Sequence, residues 1–262
     1  MPHWLGSPLR DGSMNELAEQ LTRIEKIEDS PGNARKIRPR DAATLILVDR
    51  TRGEPHILVG RRHDRHAFMA GKFVFPGGRI ERSDARMQSL GSLDKASERR
   101  LLFGMPPRAR HKARTLALTA LRETLEETGF LIGRRHKSAA ALRTCPADWR
   151  PFADAGVLPD LSRLTFVARA TTPPGRTRRF DTRFFIADRA DVAAELNDPT
   201  GPDAEFVELK WLPLSVAKQD AGMPTISKTV LIEIEKRFNA RKNLPVPYYV
   251  FRHGRFHRLE ID

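Results

Sequence analysis

The chain has 262 residues, enough to bury a substantial core as one large domain or as one domain with extensions. Its apolar (40%) and charged (30%) fractions are those of a soluble globular protein, and no run approaches the ~20 apolar residues that a membrane span needs. The formal net charge of +13 excludes nothing about fold, but it favours polyanionic partners: nucleotides, phosphate-bearing cofactors, nucleic acid or an anionic surface.

Residues 1–13 carry no apolar signal core and read as disordered. The stretch NELAEQLTRIEKIED, from Asn15, spaces Leu17, Leu21, Ile24 and Ile27 as a polar helix would, and SPGN at Ser30–Asn33 breaks it. Residues 1–35 therefore read as an N-terminal extension, partly disordered with one helix, and residues 36–262 as the main domain. That domain opens on two aliphatic runs, AATLILVDR and PHILVGRR, expected to pair as strands. A third strand, KFVFPGG, ends in a Pro-Gly-Gly turn. Residues 85–112 are weakly patterned and basic, with Arg99, Arg100, Arg108, Arg110 and Lys112.

The helix around ALRETLEETGF follows, with Gly129 as its C-cap, and then the strand FLIGRR. ADWRPFADAG predicts a short helix, and LTFVARATTPPGRTRRFDTRFFIADR predicts two strands about a Pro-Gly turn. DVAAELND reads as a helix, EFVELKWLPL as a strand and TISKTVLIEIEKRFNARKN as a long amphipathic helix. Residues 224–262 form a C-terminal helix and tail, and the tail is expected to add a strand. This mixed order predicts an α/β or α+β sandwich with a mixed sheet. The single cysteine, Cys145, excludes an intrachain disulfide, and a reducing cytoplasm is its simplest home. The ending RLEID is not a peroxisomal address.

On a helical wheel with Glu123 at zero, Glu127 falls near ~40° and Glu126 near ~300°, while Leu118, Leu121 and Leu125 lie between ~160° and ~220°. The leucines face a core and the carboxylates share one arc. Like charges at i,i+4 cost only ~0.2–0.5 kcal/mol, so a solvated face is the ordinary explanation of such a cluster. The functional one is a divalent-cation site, because clustered hard oxygens suit Mg²⁺ or Mn²⁺. His63 and His66 have no Cys or His partner at a spacing that zinc would use.

The order of residues around the cluster favours the functional reading. Arg122-Glu123-Thr124-Leu125-Glu126-Glu127-Thr128-Gly129-Phe130 resembles the second half of the Nudix box, G-x5-E-x7-R-E-U-x-E-E-x-G-U, with Thr124 a polar departure at a bulky apolar position. Gly77-Gly78-Arg79-Ile80-Glu81 resembles its start. Asp84 stands where the box has Glu, and 37 residues separate it from Arg122 where the box has seven. The resemblance thus implies a box split by about thirty extra residues, looping out near the mouth of the site as a peripheral excursion.

What it implies follows in kind. The fold is a Nudix-type α-β-α sandwich with a mixed sheet. The reaction is hydrolysis of a nucleoside diphosphate linked to another moiety. The cofactor is Mg²⁺ or Mn²⁺, held by Glu123, Glu126, Glu127 and the carbonyl of Gly77, with Arg122 orienting the carboxylates. Enzymes of the family often take a base from the loop before the apolar-Trp strand, here NDPTGPDAEFVELKW, which makes Glu205 the first candidate and Glu208 the second. Arg61, Arg62, Arg179 and Arg183 are the expected substrate contacts. The insertion, Asp84 and TTPPGRTRRFDTRFF together are similar to the Nudix branch that includes the peroxisomal coenzyme A diphosphatase. Coenzyme A or an acyl-coenzyme A is the substrate this implies, with ADP-ribose, NADH and dinucleoside polyphosphates as alternatives. The partner is accordingly a phosphorylated small molecule, no membrane partner is expected, and a homodimer is compatible. A basic nucleic-acid-binding protein on the same fold is the competing class.

Overall fold

The computed structural model describes residues 13–28, 37–65, 69–137, 145–196, 204–220, 222–241 and 243–262. One mixed sheet of nine strands forms its middle layer. The central strand, β1 (Arg40–Asp49), pairs antiparallel with β2 (His56–Arg62) at one end, antiparallel with the short β4 (Gly77–Arg79) at the other, and parallel with β8 (Phe180–Asp188) along its length. The short β3 (Phe73–Val74) and then β10 (Phe206–Pro213) lie against β2. On the far side β7 (Thr165–Thr171), β11 (Val246–Arg252) and β12 (Arg255–Ile261) complete the order β10-β2-β1-β8-β7-β11-β12. A small second sheet holds β6 (Val157–Pro159), β5 (Phe130–Arg135) and β9 (Val192–Glu195) in the order β6-β5-β9.

Both faces of the large sheet are covered, and the sequence of β1 shows why. Its residues alternate between two cores: Ala43, Leu45 and Leu47 face one way, Ile46 and Val48 the other. The first core is closed by α3 (His111–Thr128), by α4 (Arg150–Asp154) and by the small sheet; Leu116, Leu118, Leu121 and Leu125 of α3 are buried there with Trp149 and Phe152. The second is closed by α1 (Ser13–Glu28), α5 (Leu214–Ala217) and α6 (Thr225–Asn239). The result is the α-β-α sandwich with a mixed sheet that the element order predicts. Among the described residues no helix is long and apolar enough to cross a membrane.

Four expectations need correction or refinement. DVAAELND does not form a helix: Val192–Glu195 is β9, paired with Phe130, Leu131 and Ile132. Its local pattern suits a helix turn, but the unpaired edge of β5 takes it as a strand. The tail adds two strands rather than one, as a hairpin. The N-terminal helix does not stand apart from the main domain. Leu17, Ala18 and Leu21 are buried, and Thr22 Oγ1 accepts from the backbone N–H of Phe256 (2.9 Å), so α1 covers part of the edge strand β12. Residues 1–12 and the breaker SPGN lie outside the described residues.

The fourth correction concerns residues 85–112, which are not a peripheral excursion. Met87, Leu93 and Leu101 are buried in the first core. Helix α2 (Lys95–Leu101) is capped by Asp94, whose side chain accepts from the N–H groups of Ala96 and Ser97, and Ser97 Oγ receives the N–H of Phe166 on β7. Arg114 of α3 grips the Met87 carbonyl, and Arg169 of β7 donates to the Phe103 carbonyl (2.9 Å). The segment is an integral wall of the core with a basic outer surface. Leu101→Ala should therefore cost about 2–5 kcal/mol, the range for emptying a buried leucine site. A chemical denaturation midpoint equal to that of the wild type would show instead that the segment is dispensable.

Candidate functional site

The helix α3 crosses β1 and carries the acidic cluster to the β4 turn. Gly129 ends it in the left-handed conformation (φ 72°), its N–H on the Leu125 carbonyl. The core positions of the helix fix which way the glutamates face, and the turn comes very close. The N–H of Gly77 donates to Glu127 Oε2 (3.0 Å), and a Cβ on Gly78 would sit 2.5 Å from Oε1 of Glu123. A side chain at Gly78 would push that carboxylate aside, whereas one at Gly77 would meet the Ala43 carbonyl and the Thr44 backbone.

Arg122 is the hub. Its side chain is 4% exposed, and it reaches Asp84 Oδ1 (2.7 Å), Glu123 Oε1 (2.9 Å), Glu126 Oε2 (2.9 Å) and the carbonyl of Arg79 (3.1 Å). Burial alone would lower its pKa, but hydrogen bonds to Asp84 and the charges of Glu123, Asp84 and Glu126 raise it. Asp84 is fully buried, and it also takes the Thr119 hydroxyl (2.7 Å) and the N–H of Glu81 (2.9 Å). The two halves of the split box thus meet through Arg122 and Asp84. Sequence gives little sign of Thr119, beyond a hydroxyl three residues before Arg122 on an otherwise apolar face.

Glu205 joins the cluster from the start of β10. Its carboxylate bears electrostatically on those of Glu127 and Glu123. Burial pushes the Glu123 carboxyl up to about 7 against the pull of Arg122. Burial raises Glu127 well above the usual carboxylate range, and Glu205 and Glu123 add to it. Glu126 is raised more modestly, again by burial and against Arg122. Glu208 stands apart: it points outward between Lys210 (2.8 Å) and Arg61 (3.5 Å), and the Lys210 hydrogen bond lowers its pKa.

The four arginines expected at the substrate fare differently. Arg61 makes a half-exposed pair with Glu208 at the rim, and Arg62 holds Glu205 (2.6 Å). Arg179 donates to the carbonyls of Thr172 (3.1 Å) and Ile37 (2.6 Å), fastening the turn between β7 and β8 to the start of β1. Arg183 is 1% exposed, bonded to Asp41 Oδ1 (2.9 Å) and the Asp181 carbonyl (2.7 Å). It is a buried structural cation, not a substrate contact. Asp181 and Arg183 do share a face of β8, as the strand period requires, but that face is roofed by α3 and the inserted segment rather than open to solvent, and Arg179 lies just before the strand.

The cluster has a charge imbalance. Asp84, Glu123, Glu126, Glu127 and Glu205 are five carboxylates, and among the described residues Arg122 pairs with three of them, Arg62 with Glu205 and neither with Glu127. Hard oxygens with uncompensated negative charge suit Mg²⁺ or Mn²⁺. Among the described residues no three such side chains converge as a closed ligand shell, because Glu123 and Glu126 turn toward Arg122.

Among solved structures, a Nudix hydrolase from Alicyclobacillus acidocaldarius matches with 27% identity over 76% of this chain and 96% of its own, at a TM-score of 0.54. This chain is similar to that Nudix hydrolase in sequence and in fold, which supports a phosphoanhydride-hydrolysing enzyme. The Nudix domain of Shewanella oneidensis NrtR, solved with ADP-ribose, aligns more loosely, at 13% identity over 82% of this chain and 97% of its own, with a TM-score of 0.44. The MutT protein from Methanosarcina mazei aligns at 15% identity over 78% of this chain and 99% of its own, with a TM-score of 0.41. No family model matches the chain.

Because Asp84 is buried and shared with Arg122, Arg122→Gln should cost about 3–5 kcal/mol by stranding the carboxylate. Asp84→Asn in the same chain should recover part of that loss. Equilibrium unfolding of the two single variants and the double variant measures it, and strictly additive losses would mean that the pair is not coupled.

Proposed function

We propose that this protein is a Nudix hydrolase that cleaves the pyrophosphate of a nucleoside diphosphate joined to another group, with Mg²⁺ or Mn²⁺ as cofactor and coenzyme A or acyl-coenzyme A as the substrate class. The observation that carries the reading is the packing of five carboxylates from three segments around two arginines, at a glycine turn too tight for any other residue. Glu123, Glu126, Glu127 and the Gly77 carbonyl would hold the metal. When bound, such an ion offsets the charge on phosphate oxygens and makes water easier to deprotonate.

The protein side chains divide the remaining work. Glu205 accepts a proton from the attacking water, for which its place beside Glu127 suits it. Arg122 keeps Glu123 and Glu126 aligned rather than touching substrate. Water adds to one phosphorus, the bridging P–O bond breaks, and the bridging oxygen leaves with the other phosphate. From coenzyme A the products are adenosine 3′,5′-bisphosphate and phosphopantetheine. The coenzyme A reading draws on the split box with Asp84 and on the exposed cations of the inserted segment, Arg99, Arg108 and Arg110, which suit an additional phosphate.

A phosphate-release screen with Mg²⁺ across coenzyme A, ADP-ribose, NADH, dinucleoside polyphosphates and capped RNA tests the substrate class. Turnover should be greatest on coenzyme A and should be abolished by Glu127→Gln. Glu205→Gln should lose ~10²–10⁴ in rate and Glu208→Gln less than about tenfold. A larger loss for Glu208→Gln would remove Glu205 as the base. Salt-sensitive retention on nucleic acid with no turnover on any anhydride would favour a binding protein.

Stability provides a second test. Glu123 and Glu127 keep their protons to higher pH in the folded chain than in the unfolded one. The unfolded chain therefore releases protons first, and stability without metal should fall as pH rises from about 4.5 toward about 7. Saturating Mg²⁺ should raise Tm more at pH 8 than at pH 5, because binding requires the deprotonated carboxylates. An equal Mg²⁺ effect at both values would disconnect the metal from these two glutamates.

A further inference from the structure

The residues that deliver Glu205 to the cluster form a small mechanical assembly. β10 pairs with β2 antiparallel, with Phe206 opposite Arg62 and Glu208 opposite Arg61, so Val207 is an extra residue at a β-bulge. Bulges re-aim the side chains beside them. The Phe206 ring is buried flat over Gly60, where a Cβ would lie 2.2 Å from the ring. This contact fixes the start of β10 against β2. The backbone N–H of His63 reaches the Glu205 carbonyl (3.3 Å). What remains free to turn is the Glu205 side chain, and Arg62 holds it: Nη2 lies 2.6 Å from Oε1. The Arg62 side chain is itself mostly buried, at 16% exposure, and its backbone is fixed by bonds to Lys72 and Gly71 across the β2–β3 connection.

We propose that Arg62 is a positioning residue for the catalytic carboxylate Glu205, holding it beside Glu127 rather than binding substrate phosphate. The inference rests on the function proposed above. The Glu205 carboxylate is the point at which two opposing demands meet. Beside it stands Glu127, a second carboxylate, and once Glu127 is ionised repulsion would drive an untethered Glu205 away from it. Arg62 supplies the attraction that opposes this from the end of β2, with its backbone already fixed and its side chain mostly buried, so the guanidinium loses little further freedom on forming the pair. An arginine that binds a substrate phosphate is usually more open and is not already committed to a carboxylate at 2.6 Å. A displacement of about 1 Å at a catalytic group can cost about 10²-fold in rate, so a tether of this kind is worth a measurable factor.

The test is a kinetic double-mutant cycle read with a structure. Arg62→Gln should lower kcat by about 10–100-fold with KM within about twofold of the wild type. Arg62→Lys should recover at least part of that loss. In a Glu205→Gln background, Arg62→Gln should reduce kcat by less than about threefold, because the group it positions is already gone. A rise in KM with kcat unchanged would make Arg62 a substrate ligand and overturn the proposal. Equal losses of kcat in both backgrounds would overturn it too. A crystal structure of Arg62→Gln should show the Glu205 carboxylate moved away from Glu127, and an unmoved Glu205 would refute the tether whatever the kinetics. If the wild type turns over no phosphoanhydride with any metal, the proposed function fails, and the crystal structure still decides whether Arg62 places Glu205.

Discussion

The buried contact between Arg122 and Asp84 is the constraint around which the site is assembled. It joins residues 38 positions apart, at 2.7 Å, in a region where neither side chain meets solvent to any extent. Neither charge is tolerable there alone, so the fold brings both or neither. Once Arg122 is in place, its remaining donors fix Glu123, Glu126 and the Arg79 carbonyl, and the β4 turn is held against α3 from two directions. Gly77 and Gly78 complete the approach because they have nothing that would keep the carboxylates away.

This contact also explains how the chain carries so long a segment between its two halves. Lengthening a closed loop from roughly eight residues to roughly forty costs only about 1.4 kcal/mol in closure entropy, comparable to burying one aliphatic side chain. The ordering of the added residues is the larger demand, and it is met locally. Asp94 caps α2, Ser97 meets the edge of β7, and Met87, Leu93 and Leu101 enter the core. A segment that had remained a solvent loop would have left the same face of β7 and β8 uncovered, with Arg169, Asp181 and Arg183 upon it.

That face marks the boundary of what could be read from the sequence. The acidic helix, its Gly129 end, the paired strands and the long α6 follow from periodicity and capping, which act within a few residues. Glu205 and Asp84 could be placed near the cluster because the order of motifs implies it. Arg183 could not be recognised as buried, because its partner Asp41 lies on another strand and its cover comes from the inserted segment. An arginine paired inside a sheet and one reaching into a cleft have the same local pattern. The misreading of Val192–Glu195 has a similar origin, since β5 offers an edge that its own sequence does not advertise. For residues 85–112 the apolar positions that reach the core are widely spaced among cations, and only the tertiary contacts reveal them.

The distribution of positive charge within the cluster leads one step further. Arg122 serves Asp84, Glu123 and Glu126, and Arg62 serves Glu205. Among the described residues Glu127 receives a backbone N–H from Gly77 but no cationic side chain. Burial and the neighbouring carboxylates raise its pKa well above the usual range. A third arginine here would neutralise the group permanently and fill the space before the glycine turn. The arrangement leaves the deficit of positive charge at one position, between α3, the Gly77 backbone and Glu205, and keeps that position narrow. Arg122 already joins α3 to the β4 turn and Arg62 holds Glu205, so the frame around that position is set by the two arginines while its own charge is left unmatched.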